Sequence, residues 1–255
     1  MLYDLLNKDK ITWYWNSNQL GAEIGKLFTD VTDCKLTADN RILVTSSGDG
    51  GALVLHRDTF KFDFVASLKN AHSIELLPDG KIVAAASVGP DCLALYDSKP
   101  GRDLSVPINK IDFSHAHGLY WDTERKVLWA GGGSNITAYT YDGENLKEKK
   151  SYKDIIKEIH DITLLDENNL LVTGDETVIK FDLNTGHFKE HPIFGGQGNI
   201  KSSSVNSEGY FLYTQASEKC WWVDSFHVID PDGNNLTYRL PEGIYWYKAR
   251  WFYGS

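Results

Sequence analysis

Three histidines, two lysines and an arginine are the residues whose types and spacing could do chemistry in this 255-residue sequence. His72, His117 and His160 each stand ten positions before the first apolar residue of a second apolar run, at Ile82, Val127 and Leu170. A constant offset of that kind means a repeated unit that places three imidazoles equivalently. Neutral imidazoles converging on one point suit a divalent ion (Mn, Ca, Zn or Mg), with positions left open for water or substrate. Lys201, Lys248 and Arg250 recur at related positions further on, and cations in a low-dielectric channel suit a carboxylate, sulfate or phosphate. The ligand expected is therefore an acidic sugar or another small anion. No Gly-x-Ser-x-Gly occurs and no acidic residue takes a repeat position, which argues against a serine nucleophile and against paired carboxylates. Proton abstraction beside a carboxylate remains, with a histidine or tyrosine as base and cations or metal stabilising the enolate-like charge. The candidate catalytic residues are His72, His117, His160 and Lys201, the same histidines being the candidate metal ligands. Lys248, Arg250, Trp121 and Tyr247 are the candidate substrate-binding residues; Trp121, Trp246 or Trp251 could stack on a sugar ring.

The elements that would position these groups repeat too. Related units begin near Thr32, His72, His117, His160, Lys201 and Lys248, at spacings of 40, 45, 43, 41 and 47 residues. Spacing in the forties with several short strands per unit is the mark of propeller blades. Second strands read 41–45, 81–86, 126–130, 169–173 and 210–214, and third strands read 52–55, 92–96, 136–141, 178–181 and 221–229. Asp58, Asp97, Asp142, Asp182 and Asp230 close the third strands, where an Asx turn would start the hairpin into the outermost strand. Residues 2–4 fit the end of a third strand, 10–16 an outermost strand and 245–251 an innermost one, so the termini would close a sixth blade together. The second strand of that blade is missing: the blade is three-stranded, or Trp251 to Tyr253 fill the gap, or the chain begins earlier than Met1. The expected fold is a single all-β domain over residues 1–255, a six-bladed propeller. Its inner strand starts ring a central channel, with Glu75 and Asp161 alternating away from it. Helix is expected over Tyr152 to Ile159 and more weakly over Ala22 to Phe28.

Composition sets the boundaries of function. A net charge of −9 argues against nucleic-acid and anionic-membrane partners, which need a broad basic surface. Three cysteines, Cys34, Cys92 and Cys220, lack metal-type spacing and read as reduced thiols. With no apolar export segment at the start, the chain reads as a cytoplasmic monomer as written, and as periplasmic or extracellular if its N-terminus is truncated.

His72-Ser73-x-Glu75-Leu76-Leu77-Pro78-Asp79-Gly80, Ala116-His117-Gly118 with Trp121-Asp122, His160-Asp161, Lys201-Ser202 and Tyr247-Lys248-Ala249-Arg250-Trp251 together resemble a bacterial six-bladed propeller family of unassigned function. The resemblance covers nearly the whole chain and departs from that family at the N-terminus, where an opening strand is expected. The three-histidine channel is similar to that of the oligogalacturonate lyases, whose channel histidines hold a divalent metal beside a uronate. The first histidine motif is similar to the active-site strand of propeller arylsulfotransferases. The resulting expectation is a lyase acting on a uronate-containing glycan. The alternative is a non-catalytic acidic-glycan binder or a protein-interaction propeller, because strand-start histidines also bridge neighbouring blades. If Arg250 grips the ligand, Arg250→Lys is expected to weaken ligand binding more than folding.

Overall fold

Each repeat unit has the chemistry of a four-stranded antiparallel sheet, with short apolar runs separated by turns that need a left-handed residue. Asn40, Gly80 and Gly209 supply it, at φ of 64°, 86° and 85°. The N–H of each donates back to Thr37, Leu77 and Asn206 respectively, closing equivalent tight loops between first and second strands. A computed structural model describes residues 2–5, 10–97, 104–217 and 219–252 (for Tyr3 the backbone only). It is a β-propeller of five four-stranded blades. Blade 1 is β3 (Val31–Leu36), β4 (Arg41–Ser46), β5 (Gly51–His56) and β6 (Phe62–Ser67). Blade 2 is β7 (Ala71–Leu76), β8 (Ile82–Ala86), β9 (Cys92–Tyr96) and β10 (Asn109–Asp112). Blade 3 is β11 (Ala116–Asp122), β12 (Val127–Gly132), β13 (Asn135–Tyr141) and β14 (Leu146–Tyr152). Blade 4 is β15 (Asp161–Asp166), β16 (Asn169–Thr173), β17 (Val178–Asp182) and β18 (Phe188–Glu190). Blade 5 is β19 (Ile200–Val205), β20 (Phe211–Gln215), β21 (Ser225–Ile229) and β22 (Asn235–Arg239). The Asx turns form at Asp142, Asp182 and Asp230, each of which accepts from main-chain N–H groups two to four residues on.

The expected sixth blade is not formed. Its sector holds a two-stranded hairpin, β1 (Leu2–Asp4) with β2 (Lys10–Trp13), and the C-terminal stretch 245–252. With no second strand beside it, that stretch has no ladder and makes one isolated bridge, Val223 with Trp246. Side chains dock it on blade 5 instead. The N–H groups of Ala249 and Trp251 donate to the hydroxyls of Ser202 and Ser204, and the carbonyls of Tyr247 and Ala249 accept from Thr214 and Ser202. Leu5 packs with Trp246 and Trp251 on the blade 5 core, while Phe252 packs with Trp13 and Trp15 on the blade 1 core. The termini therefore share the sector without making a blade. Tyr253, one candidate for the missing strand, lies outside the described residues.

Helix forms only at the weaker of the two expected sites, as α1 (Ala22–Gly25) between short 3-10 turns. Residues 153–160 are instead a link between blades. Ile155, Ile156 and Ile159 are buried in the core between blades 3 and 4, and the N–H groups of Ile155 and Ile159 donate to Ser134 and Gly133. Left-handed Asp154 and Glu158 bend the chain into that path; the apolar spacing reflected core contact, not a helix. Among the described residues, no helix is long and apolar enough to cross a membrane.

Candidate active site in the central channel

The channel site is built by an irregularity that recurs in the inner strands. The pairing of the first strand with the second slips by one residue at Thr32, His72, His117 and Lys201. The extra residue of such a bulge is left out of the ladder and its side chain is re-aimed. In blade 4 the equivalent residue, His160, precedes the strand, and its N–H donates to Thr173. The three imidazoles consequently meet. Ring centroids of His72 and His117 are 4.2 Å apart, those of His117 and His160 are 5.5 Å apart, and the Tyr247 ring lies 5.6 Å from His72. All three histidines and Lys201 are buried.

Hydrogen bonds fix the imidazole tautomers. His117 Nδ1 donates to the His115 carbonyl at 2.8 Å, which leaves Nε2 with the lone pair. His72 Nε2 donates to Asn70 Oδ1 at 2.9 Å, leaving Nδ1 as its acceptor. His160 differs, because its Nε2 lies 2.7 Å from Asp175 Oδ1 and 2.6 Å from Lys201 Nζ. One ring nitrogen cannot donate to a carboxylate and accept from an ammonium at the same time. Either Nε2 carries the proton toward Asp175 beside a neutral amine, or it takes a proton from Lys201. Burial pushes the Lys201 ammonium down from its usual range, with Asp175 opposing, and burial likewise lowers His160 against the pull of Asp175. Burial, with Lys248 and His160 nearby, lowers His72 to about 3, and His117 falls well below its usual range chiefly through burial. The imidazoles are thus held toward their neutral form, and Asp175, His160 and Lys201 compete for hydrogen bonds at one ring nitrogen.

A second layer of charge packs against it. Arg250 holds Asp33 with a fork, Nε to Oδ1 at 2.8 Å and Nη2 to Oδ2 at 3.1 Å, and Nη2 also donates to Asp161 Oδ1 at 2.8 Å. Lys248 Nζ donates to Asp161 Oδ1 at 3.3 Å and to the carbonyls of His72 and His117 at 3.2 Å each. Lys35 pairs with Glu75 and also donates to the Leu119 carbonyl at 2.7 Å. Burial alone would raise the Asp33 carboxyl, but Arg250, Lys248 and Lys35 around it hold it well below the usual carboxylate range. Three cations, Lys248 buried and Lys35 and Arg250 half-buried, therefore face three carboxylates, Asp33 and Asp161 buried and Glu75 half-buried.

The sequence-predicted residues thus divide. His72, His117, His160, Lys201 and Tyr247 come together at one level. Lys248 and Arg250 lie beside them, bonded to Asp33 and Asp161 and to main-chain carbonyls. Trp121 is elsewhere, at the far end of β11 against Tyr141. Asp161 was expected to alternate away from the channel. It enters because the regular alternation of a strand starts only after the residue that carries the imidazole. Asp175, Asn70 and Asp33 were not anticipated, and only their place two residues from, or directly after, a ring position could have pointed to the last two. Trp222 was read as third strand; it stands at the site's edge, 5.4 Å from the Tyr247 ring, its Nε1 donating to the Val31 carbonyl at 3.4 Å.

A three-histidine metal centre needs three lone pairs aimed at one point. Here Lys201 sits on His160 Nε2 and Asn70 on His72 Nε2, and among the described residues no group of three His, Cys, Asp or Glu side chains is arranged to hold an ion. Nε2 of His72 and of His160 is therefore taken as placed, and the ring nitrogens left open are His72 Nδ1, His117 Nε2 and His160 Nδ1.

The model of a family of unknown function, DUF6528, matches residues 5–255. The chain belongs to this family. No curated protein matches it in sequence. Among solved structures, a protein of unknown function from Bacteroides caccae aligns at 15% identity with a TM-score of 0.59, covering 84% of each chain. A candidate 6-phosphogluconolactonase from Bacteroides fragilis aligns at 13% identity and TM-score 0.60, covering 88% of this chain and 73% of that one. Virginiamycin B lyase from Staphylococcus aureus aligns at 13% and 0.56, covering 84% and 71%. At such identities the likeness is one of fold. Membership of a family without assigned function agrees with the resemblance read in the sequence, whereas the blade number, five, does not.

Proposed function

We propose that this DUF6528 chain is a lyase-type enzyme that abstracts a proton beside the carboxylate of a uronate-containing glycan, acting as a monomer at the imidazole layer. The observation that carries the reading is the contact of Lys201 Nζ with His160 Nε2 at 2.6 Å, backed by Asp175. A buried amine whose ammonium form is disfavoured by burial, set beside an imidazole and a carboxylate, can accept a proton and pass it on. In the elimination the C–H proton moves to the Lys201–His160 pair and its electrons form the carbon–carbon double bond. The neighbouring glycosidic C–O bond breaks, and its oxygen leaves with the proton that the Lys201–His160 pair returns to it. The lone pairs on His117 Nε2 and His72 Nδ1 accept from sugar hydroxyls rather than donate to the carboxylate. No step is routed through a metal; a divalent ion held through His160 Nε2 would require Lys201 to leave that nitrogen, and metal analysis of the purified chain tests that arrangement.

The experiment is an ultraviolet absorbance screen for unsaturated uronate on acidic oligosaccharides, run with wild type and Lys201→Met. Turnover by wild type that is lost in the variant supports the proposal. Saturable binding without turnover moves the non-catalytic acidic-glycan binder ahead. Lys248 and Arg250, the cations expected to hold an anion, are engaged by Asp33 and Asp161, so in either reading the acidic group is met by other groups of the channel.

A further inference from the structure

At the level where the imidazoles meet, two side-chain atoms form no hydrogen bond with any described residue and are still reached by solvent: His117 Nε2 and the Tyr247 hydroxyl oxygen. His72 Nδ1 and His160 Nδ1 also have no partner among the described residues, but they are sealed from solvent. The other donors of this level are engaged, His72 Nε2 by Asn70, His117 Nδ1 by the His115 carbonyl, and Lys201 Nζ by His160 and Asp175. Tyr247 is only 3% exposed. A donor on so buried a residue is seldom left unused.

The side chain is held as a site residue would be. Its ring packs against His72 at 5.6 Å and against Trp222 at 5.4 Å. Trp222 is pinned in turn by its Nε1 bond to the Val31 carbonyl, and the Tyr247 carbonyl accepts from Thr214 at 2.8 Å. Trp246, next in the chain, exchanges both main-chain hydrogen bonds with Val223. Burial first, then the blade 4 carboxylates of Asp161 and Asp175, raises the phenol, so it donates without ionising. The hydroxyl donor and the His117 lone pair stand on either side of His72. Together they are complementary to an acceptor beside a hydroxyl, the pair that a uronate presents in its carboxylate and the neighbouring ring hydroxyl.

We propose that the Tyr247 hydroxyl is the specificity-determining donor of the channel: it hydrogen-bonds the carboxylate of the sugar while His117 Nε2 accepts from the adjacent hydroxyl. The assignment rests on the uronate reading of the same site. An acidic sugar is then selected by a neutral donor and not by Lys248 or Arg250, which Asp33 and Asp161 engage. A charged acceptor makes a stronger hydrogen bond than a neutral one, and an ester lacks that charge.

The test compares the full chain with Tyr247→Phe on di- and trisaccharides of galacturonate and of glucuronate, each beside its methyl ester. Calorimetric titration reads affinity and thermal unfolding reads stability. Wild type is expected to prefer an acid over its ester by at least about tenfold, the low end for a hydrogen bond to a charged group. Tyr247→Phe is expected to lose that preference while melting within about 3 °C of wild type, because the hydroxyl has no partner in the fold to lose. A variant that keeps the preference overturns the assignment and leaves the uronate reading standing. Wild type that binds neither form, or binds acid and ester alike, overturns the uronate reading and the assignment with it. A larger fall in melting temperature also overturns the assignment. The hydroxyl would then serve the fold, most simply as a donor to Asp161 Oδ2, an oxygen buried without a partner among the described residues.

Discussion

The two layers of the channel hold similar numbers of ionisable groups and differ in how those groups are satisfied. In the ionic layer, Asp33 and Arg250 match both ends of a fork and Lys248 has three oxygen partners, and among its carboxylates Asp161 Oδ2 is the oxygen left buried without a partner among the described residues. In the imidazole layer, His72 Nδ1 and His160 Nδ1 are buried with no partner among the described residues, and His160 Nε2 is contested by a lysine and a carboxylate. A buried charge that is fully answered acts as structure, whereas bonding capacity left over is available to a ligand. Residue type alone does not separate the two, since both layers are rich in groups that elsewhere do chemistry.

The sharpest way to break the comparison is to unbalance the ionic layer. Asp161→Ala leaves Lys248 and Arg250 with Asp33 as their remaining carboxylate. Removing one partner from a buried ion-pair network costs about 3–5 kcal/mol, so urea unfolding should shift by that amount. A loss under about 1 kcal/mol would mean that the layer is not structural.

Next in size is Lys201→Met, which should lower turnover on the substrate found by the uronate screen by about 100-fold or more, the usual scale for a general base. Stability should change far less, because Lys201 belongs to the layer with spare bonding capacity. If turnover survives while unfolding shifts, the roles of the two layers are reversed.

Arg250→Lys follows. A lysine keeps the charge but cannot form the fork on Asp33 while also reaching Asp161. The expected loss of about 1.5–3 kcal/mol, the range for a charged hydrogen bond, should therefore appear in unfolding and not in ligand affinity. That reverses the expectation drawn from sequence. Weaker acidic-ligand binding at unchanged stability would restore Arg250 as a ligand contact.

The repeat was legible because each blade restates it in turn residues and apolar runs. The constant histidine offset therefore located the imidazole layer correctly. The count of blades failed at Lys248, since a residue can hold the repeat position while no second strand exists to pair with it. The ionic layer was hidden for another reason. Asp33 and Asp161 stand one residue after ring positions, and strict two-residue alternation sends such residues to the blade interior. The bulge at Thr32 and the late strand start at Asp161 cancel that rule, and neither can be seen in composition or spacing. Asp175, fifteen residues after His160, enters through a turn and had no periodic signal to reveal it.

A last effect, smallest near pH 7, separates the layers by pH. His72 is lowered to about 3 by burial first and by Lys248 and His160 next, while in the unfolded chain it titrates at about 6.5. Between those values the unfolded state binds a proton that the folded state refuses, so folding is penalised as pH falls and the stability is present in full only above about 6.5. Each such histidine contributes a slope of about 1.4 kcal/mol per pH unit in that window. His117 and His160 are lowered as well and add in the same direction. Asp33, held well below the usual range by Arg250, loses its contribution only at lower pH. Urea unfolding of wild type and His72→Asn from pH 7 to pH 4 tests this. The variant should lose one histidine's share of the slope, about 1.4 kcal/mol per unit, with its unfolding at pH 7 shifted much less than in Asp161→Ala. Parallel pH profiles would mean that His72 is protonated in the folded channel, and the neutral imidazole layer on which the contrast rests would be lost.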